Sequence, residues 1–114
     1  MQKAPVIQEQ PCCSLTAGIP TQPEAERLAT IFKALGDPTR IKLISLIALA
    51  KGQGACICDL VSYVDLAQST VSHHMKLLAD TGLVQREQRG KWAFYKLNTA
   101  LLEIIGEVVR PRTG

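Results

Sequence analysis

With 114 residues, the chain has room for one domain and a modest core. Its 46% apolar and 20% charged residues are ordinary for a soluble globular protein, and no apolar run reaches the ~18 residues needed to span a bilayer, so no membrane partner is expected. A formal net charge of +3 admits nucleic acid as a partner without demanding it.

Met1-Gln2-Lys3-Ala4-Pro5 leads into polar residues rather than a hydrophobic block, so no secretory signal is expected and a cytoplasmic location follows by default. Residues 1–23 carry Pro5, Pro11, Pro20 and Pro23 and are expected to form an extended arm without a core of its own. A folded domain is expected over 24–110, with a short tail at 111–114. From Glu24 a helical period sets in, with Ala25, Leu28, Ala29 and Phe32 at i, i+3, i+4 and i+7. Gly36 is expected to end that helix in a left-handed conformation. Asp37 then supplies an N-cap and Pro38 a first helical residue for a helix running to about Ala50. That helix is apolar nearly all round, so central burial is expected.

After the loop Gly52-Gln53-Gly54 come a short helix from Cys58 to about Val64, a turn around Asp65-Leu66-Ala67, and a helix from Gln68 to Ala79 closed by Gly82. Leu83–Glu87 and Lys91–Leu97 have strand character, with a turn expected at Gln88-Arg89-Gly90. Trp92, Ala93, Phe94 and Tyr95 are apolar on both faces, which leaves the strand register open. A last helix runs from about Thr99 to Val109 behind the N-cap Asn98. The predicted class is mainly α with a small β-hairpin (α+β). The order helix, helix, helix-turn-helix, hairpin, helix is that of a winged helix-turn-helix.

The helix from Gln68 separates into two faces. Val71, Met75 and Leu78 form an inward stripe, while Ser69, Ser72, His73 and Lys76 gather opposite. Short hydroxyls let a backbone approach the major groove closely, and donors reach base edges and phosphates; Gln68 lies at the end that points into the groove. His74 borders the apolar stripe, where a packed, hydrogen-bonded role is expected. Arg89 and Lys91 flank the hairpin tip, with Arg86 on the first strand, where a wing could touch phosphate or minor groove.

Leu35-Gly36-Asp37-Pro38-Thr39-Arg40, Cys56-Ile57-Cys58-Asp59-Leu60 and Gln68-Ser69-Thr70-Val71-Ser72-His73-His74 together resemble the ArsR/SmtB family of metal(loid)-responsive repressors, over roughly residues 24–109. The resemblance implies a homodimer built from the first and last helices and bound to palindromic operator DNA. It also implies that Gln68, Ser69, Ser72 and His73 face bases or phosphates, while Arg89 and Lys91 hold the wing. A second zinc site on the family's last helix uses aspartate and histidine; neither occurs after Asp80, so that site is expected to be absent.

Four cysteines, Cys12, Cys13, Cys56 and Cys58, in a reducing compartment favour metal binding or redox chemistry over a disulfide framework. Residues two apart in a regular helix diverge by about 200°, so Cys56 and Cys58 can share an ion only if this segment is extended or its first turn opens. A nearby helix N-terminus favours thiolates. By the resemblance this pair matches the sensing site of arsenic, cadmium and lead responders. Adjacent Cys12 and Cys13 bridge each other only through a strained ring, so separate thiolates are expected, delivered by the arm to the Cys56/Cys58 segment of the same or the partner subunit. An all-sulfur site selects soft or borderline ions. Three thiolates suit As(III) or Sb(III), here Cys12, Cys13 and one of Cys56 or Cys58; four suit Cd(II), Pb(II) or Zn(II). The family pattern is not fully met: Val61 stands where a third cysteine often follows Cys-x-Cys, and the arm cysteines touch where relatives space them. Thiol oxidation is an alternative trigger for the same repressor. A thiol enzyme is not expected, since there is no Cys-x-x-Cys, phosphate-cradling loop or poised base.

Overall fold

Thr21 opens the first helix, α1 (Gln22–Leu35), two residues earlier than the apolar period suggests, because it forms a capping box with Glu24. The Glu24 backbone N–H donates to Thr21 Oγ1 (3.4 Å) and the Thr21 N–H donates to Glu24 Oε1 (2.8 Å). The structure, a computed structural model, describes residues 19–50 and 52–111. Leu28 and Ile31 are the buried residues of α1, whereas Ala29 and Phe32 of the expected stripe are exposed. Gly36 is not left-handed: its φ is −80°, because the last turn tightens and its N–H reaches the Lys33 carbonyl at 3.1 Å.

Helix α2 (Pro38–Ala50) begins as expected, with Asp37 Oδ2 accepting the Arg40 backbone N–H at 3.1 Å. Its burial is narrower than expected. Leu43 and Ile47 are buried, but Ile41 is 53% and Leu49 76% exposed, because only one side of the helix meets the rest of the domain.

Beyond Gly54 lies a strand that the sequence does not announce, β1 (Ala55–Cys56), which leads directly into α3 (Ile57–Val64). Asp65 adopts a left-handed conformation (φ 57°) that caps α3 and turns the chain towards α4 (Gln68–Asp80). Val71, Met75 and Leu78 on α4 are fully buried, as the helical wheel predicts, and they meet Leu43, Leu60 and Leu83 in the core.

Strands β2 (Val84–Arg89) and β3 (Trp92–Leu97) form the hairpin, and the sheet order is β1-β3-β2, antiparallel throughout. Arg89 pairs with Trp92, so the turn is Gly90-Lys91 rather than Gln88-Arg89-Gly90. A two-residue hairpin loop needs a left-handed residue, which Gly90 supplies at φ +62°. Register settles the apolar run: Ala93 and Tyr95 face the core, Trp92 is exposed and Phe94 half-buried. Helix α5 (Thr99–Val109) is capped by Asn98, whose Oδ1 accepts the Leu101 N–H at 3.2 Å while its Nδ2 donates to the Gly82 carbonyl at 3.1 Å. Leu101 and Ile105 are its buried residues. Among the described residues no helix is long and apolar enough to cross a membrane.

Candidate nucleic-acid interface and thiol pair

A groove of about 480 Å³ runs between α4 and the hairpin. Gln68, Ser72 and Lys76 line it from the helix, and Arg86 and Lys91 from the hairpin. These five residues come from elements separated in sequence, so the fold, not the local pattern, gathers them. Three cations beside a hydroxyl and an amide form a surface suited to a phosphate backbone and the base edges next to it. Lys76 also bridges to Asp80 at 3.1 Å, but this exposed pair is weak enough for an incoming phosphate to replace it. Arg86 donates to Gln88 Oε1 (2.6 Å), and Gln88, placed in the turn by the sequence reading, itself lines the groove.

Ser69 and His73 lie exposed on α4 without lining this groove. His74 is half-buried, as its position beside the apolar stripe predicts, with Nδ1 3.3 Å from Arg40 Nη1. Arg40 Nε also donates to the Ala34 carbonyl (2.5 Å), so one side chain ties α1, α2 and the groove-lining helix together. The sequence gives no sign of this bridge beyond the position of Arg40 in the first turn of α2. The Asp37 carboxyl is held below its ordinary value of 3.8, chiefly by the Arg40 backbone N–H and further by the Arg40 guanidinium, against some desolvation.

Arg89 is placed differently from Arg86 and Lys91. Its guanidinium stacks 4.3 Å from the Phe94 ring centroid, and its Nη2 donates to Glu87 Oε1 (2.8 Å) and to the Gln53 carbonyl (2.7 Å). That hydrogen bond and the adjacent charge hold the Glu87 carboxyl below its ordinary 4.5. Arg89 is thus engaged within the protein, at the base of the hairpin turn.

Cys56 is the N-cap of α3, extended at φ −70° and ψ 141°, and its Sγ accepts the Cys58 backbone N–H at 3.3 Å. An extended residue followed by the first helical turn points both side chains to the same side. The two sulfurs therefore converge, and the structure joins them as a disulfide, where the sequence reading expects reduced thiols. The condition set for convergence, an extended segment ahead of the helix, is the one found. Cys56 is buried and Cys58 exposed, so the pair is reachable from one side only. Among the described residues no group of three or more His, Cys, Asp or Glu side chains could hold a metal ion. Cys12 and Cys13 lie outside the described residues. The donor chemistry of Cys56 and Cys58 fits a soft ion, provided further sulfur is delivered from elsewhere in the protein.

Helices α3 and α4 joined by a tight turn, with a basic hairpin beside the second helix, define a winged helix-turn-helix, the architecture of DNA-binding transcriptional regulators rather than of enzymes. Residues 37–86 match the family of bacterial regulatory proteins named for arsR. The chain is 37% identical over 82 residues to the arsenical resistance operon repressor of Staphylococcus xylosus, spanning 72% of this chain and 76% of that one. It is 35% identical over 71 residues to a cadmium resistance transcriptional regulatory protein (CadC homolog) of Staphylococcus aureus, spanning 62% and 57%. Its fold superposes on HlyU from Vibrio cholerae with a TM-score of 0.63 at 20% identity, covering 80% of this chain and 100% of the other. It also superposes on the homodimeric winged helix-turn-helix DNA-binding domain Mb0332 from Mycobacterium bovis, with a TM-score of 0.59 at 18% identity, covering 79% and 87%. The chain belongs to the ArsR family of transcriptional repressors.

Proposed function

We propose that the protein represses transcription by binding operator DNA as a cytoplasmic homodimer, and that it lets go when As(III) or Sb(III) is captured by cysteine thiolates. The observation that carries this reading is the convergence of the Cys56 and Cys58 sulfurs at the root of the helix-turn-helix. Ile57, between them, lines the groove that holds Gln68, Ser72, Lys76, Arg86 and Lys91. A change of bonding at the sulfurs therefore acts on a buried residue that backs the candidate DNA groove. Ser69 and His73 complete the proposed DNA-contacting set, and Arg89, engaged with Phe94, Glu87 and Gln53, belongs to it by holding the wing in place.

Cys12 and Cys13, carried on the segment before α1, would complete the sulfur site with Cys56, Cys58 or both. A bound soft ion supplies strong bonds to sulfur that hydrogen bonding cannot match. The chain's own part is to present anionic sulfur where the N-terminus of α3 and the Cys58 N–H stabilise it. Reorganising Cys56 then disturbs the first turn of α3 and moves α4 out of register with successive major grooves. A coupling of about 1–3 kcal/mol lowers operator affinity roughly 5- to 150-fold. The dimer reading rests on the apolar residues that α1 and α5 leave uncovered, Ile104, Val108 and Val109 among them, and on the homodimeric assembly of the Mycobacterium bovis relative. Cd(II), Pb(II) or Zn(II) on four thiolates is the same reading with another ion, supported by the cadmium-resistance relative.

The direct test is operator binding, followed by fluorescence anisotropy and titrated with arsenite, antimonite, cadmium, lead and zinc, for the reduced protein and for each cysteine-to-serine variant. Release by arsenite that is lost in C56S or C58S, and weakened in C12S or C13S, supports the proposal. Affinity unchanged by every ion rejects it. One observation favours a second trigger, thiol oxidation: the structure pairs Cys56 with Cys58. Release by diamide, reversed by dithiothreitol and needing no ion, would establish that form.

A further inference from the structure

The thiol pair is built into the sheet as well as into the helix-turn-helix. Cys56 is the second residue of β1, and its register partner is Phe94 on the central strand β3. On the other side of β3, Phe94 pairs with Glu87 of β2. Arg89 closes a ring around this position, stacking on Phe94, donating to Glu87, and reaching back to the carbonyl of Gln53, which lies just before β1. There is no slack between the segments: a methyl group on Gly54 would lie 2.6 Å from the Tyr95 carbonyl oxygen. Arg89 is also the last β2 residue before the Gly90-Lys91 turn, and it pairs there with Trp92.

We infer that the state of the Cys56/Cys58 sulfurs is transmitted to the hairpin tip through Phe94 and Arg89, which act as positioning residues for Lys91 and Arg86 in the DNA groove. This inference rests on the thiol-triggered reading above and gives it a second output, from sheet to wing, beside the one through α3 and α4. A planar guanidinium that stacks on a ring and donates to two oxygens at once fixes orientation in a way that a lysine ammonium cannot. Displacement of residues 53–56 pulls the Gln53 carbonyl and the Phe94 register position together, and Arg89 converts that into a tilt of the turn.

The chain carries its own reporter, because its one tryptophan is Trp92, beside Arg89 and exposed at the wing. In the full-length reduced protein, arsenite is expected to shift Trp92 emission, and so is oxidation of Cys56 and Cys58 to the disulfide. In R89M the emission is expected to stop responding, while thiolate–arsenic absorbance shows that the sulfurs still bind. The response of operator affinity to arsenite is expected to shrink by about 2- to 30-fold relative to wild type. Arg89→Lys, which keeps the charge and loses the fork and the stack, is expected to behave like R89M. Thermal melting of both variants establishes that they are folded. Should either variant fail to fold, the wild-type emission decides alone.

Trp92 emission that ignores every change at the sulfurs overturns the inference, and so does a full operator response in Arg89→Lys. If operator affinity never responds in wild type, the thiol-triggered reading fails. Trp92 then still decides whether the sulfurs and the wing communicate.

Discussion

Gly54→Ala tests the close approach that places Cys56 against β3. Gly54 has φ +89°, and an added Cβ would stand 2.6 Å from the Tyr95 oxygen and 3.2 Å from its carbonyl carbon, both backbone atoms. Two costs follow. An L-residue held at positive φ loses roughly 1–2 kcal/mol, and forcing backbone apart in a packed region costs typically about 1–3 kcal/mol more. Gly90→Ala isolates the first cost, since Gly90 sits at φ +62° with nothing within 4 Å of the added methyl. G90A is therefore expected to lose about 1–2 kcal/mol and G54A about 2–5 kcal/mol. For a domain of this size each kcal/mol lowers Tm by about 4–8 °C. Urea and thermal unfolding of both variants under reducing conditions give the comparison. If G54A is no less stable than G90A, β1 does not press on β3 as described, and the sheet route from Cys56 to the wing loses its mechanical basis.

The remaining predictions concern the groove, the cap, the core and acid. Lys91→Ala and Arg86→Ala are each expected to weaken DNA binding about equally on operator and unrelated sequences and to reduce the salt slope by about 1, measured by anisotropy across a salt series. Gln68→Ala is expected instead to cost about 1–3 kcal/mol on operator only, as loss of a base contact does. Asn98→Ala removes the cap of α5 and is expected to cost about 1 kcal/mol in urea unfolding, while Leu43→Ala in the core is expected to cost about 2–5 kcal/mol. Asp37 and Glu87 both have carboxyls held below their ordinary 3.8 and 4.5, so their contribution is complete above those values and is lost as pH falls through the lower folded values. Stability should therefore decline below about pH 4.5, less steeply in Glu87→Gln, as followed by urea midpoints over a pH series.

Helices were legible where capping chemistry and period agreed. Asp37-Pro38 marks the start of α2, Asn98 that of α5, and Val71, Met75 and Leu78 fix the inward face of α4 because three turns of a helix leave little ambiguity about its buried side. Gly36 and the hairpin turn misled for different reasons. A glycine advertises left-handed freedom, but whether it uses that freedom depends on the hydrogen bonds on either side. Gly36 closes a tightened turn at negative φ, and Gly90 starts a two-residue loop where the sequence also allowed a longer one. Breadth of burial was illegible for α2, since an apolar surface all round says nothing about which sides other elements cover.

The functional site divides along the same line. Residue types suited to DNA were visible one element at a time, yet only the packing of α4 against the hairpin sorts Gln68, Ser72, Lys76, Arg86 and Lys91 into one groove and turns Arg89 inward. The thiol pair was legible as chemistry and not as geometry. Two residues of β1 carry no periodicity, and their strand character exists only because β3 offers them an edge. That edge keeps Cys56 extended, and an extended Cys56 at the start of α3 is what lets its sulfur meet that of Cys58. The sheet thus makes the thiol pair possible, and through the registers Cys56–Phe94 and Phe94–Glu87 it joins that pair to the hairpin as well as to α3, which is the basis of the proposed route to the wing.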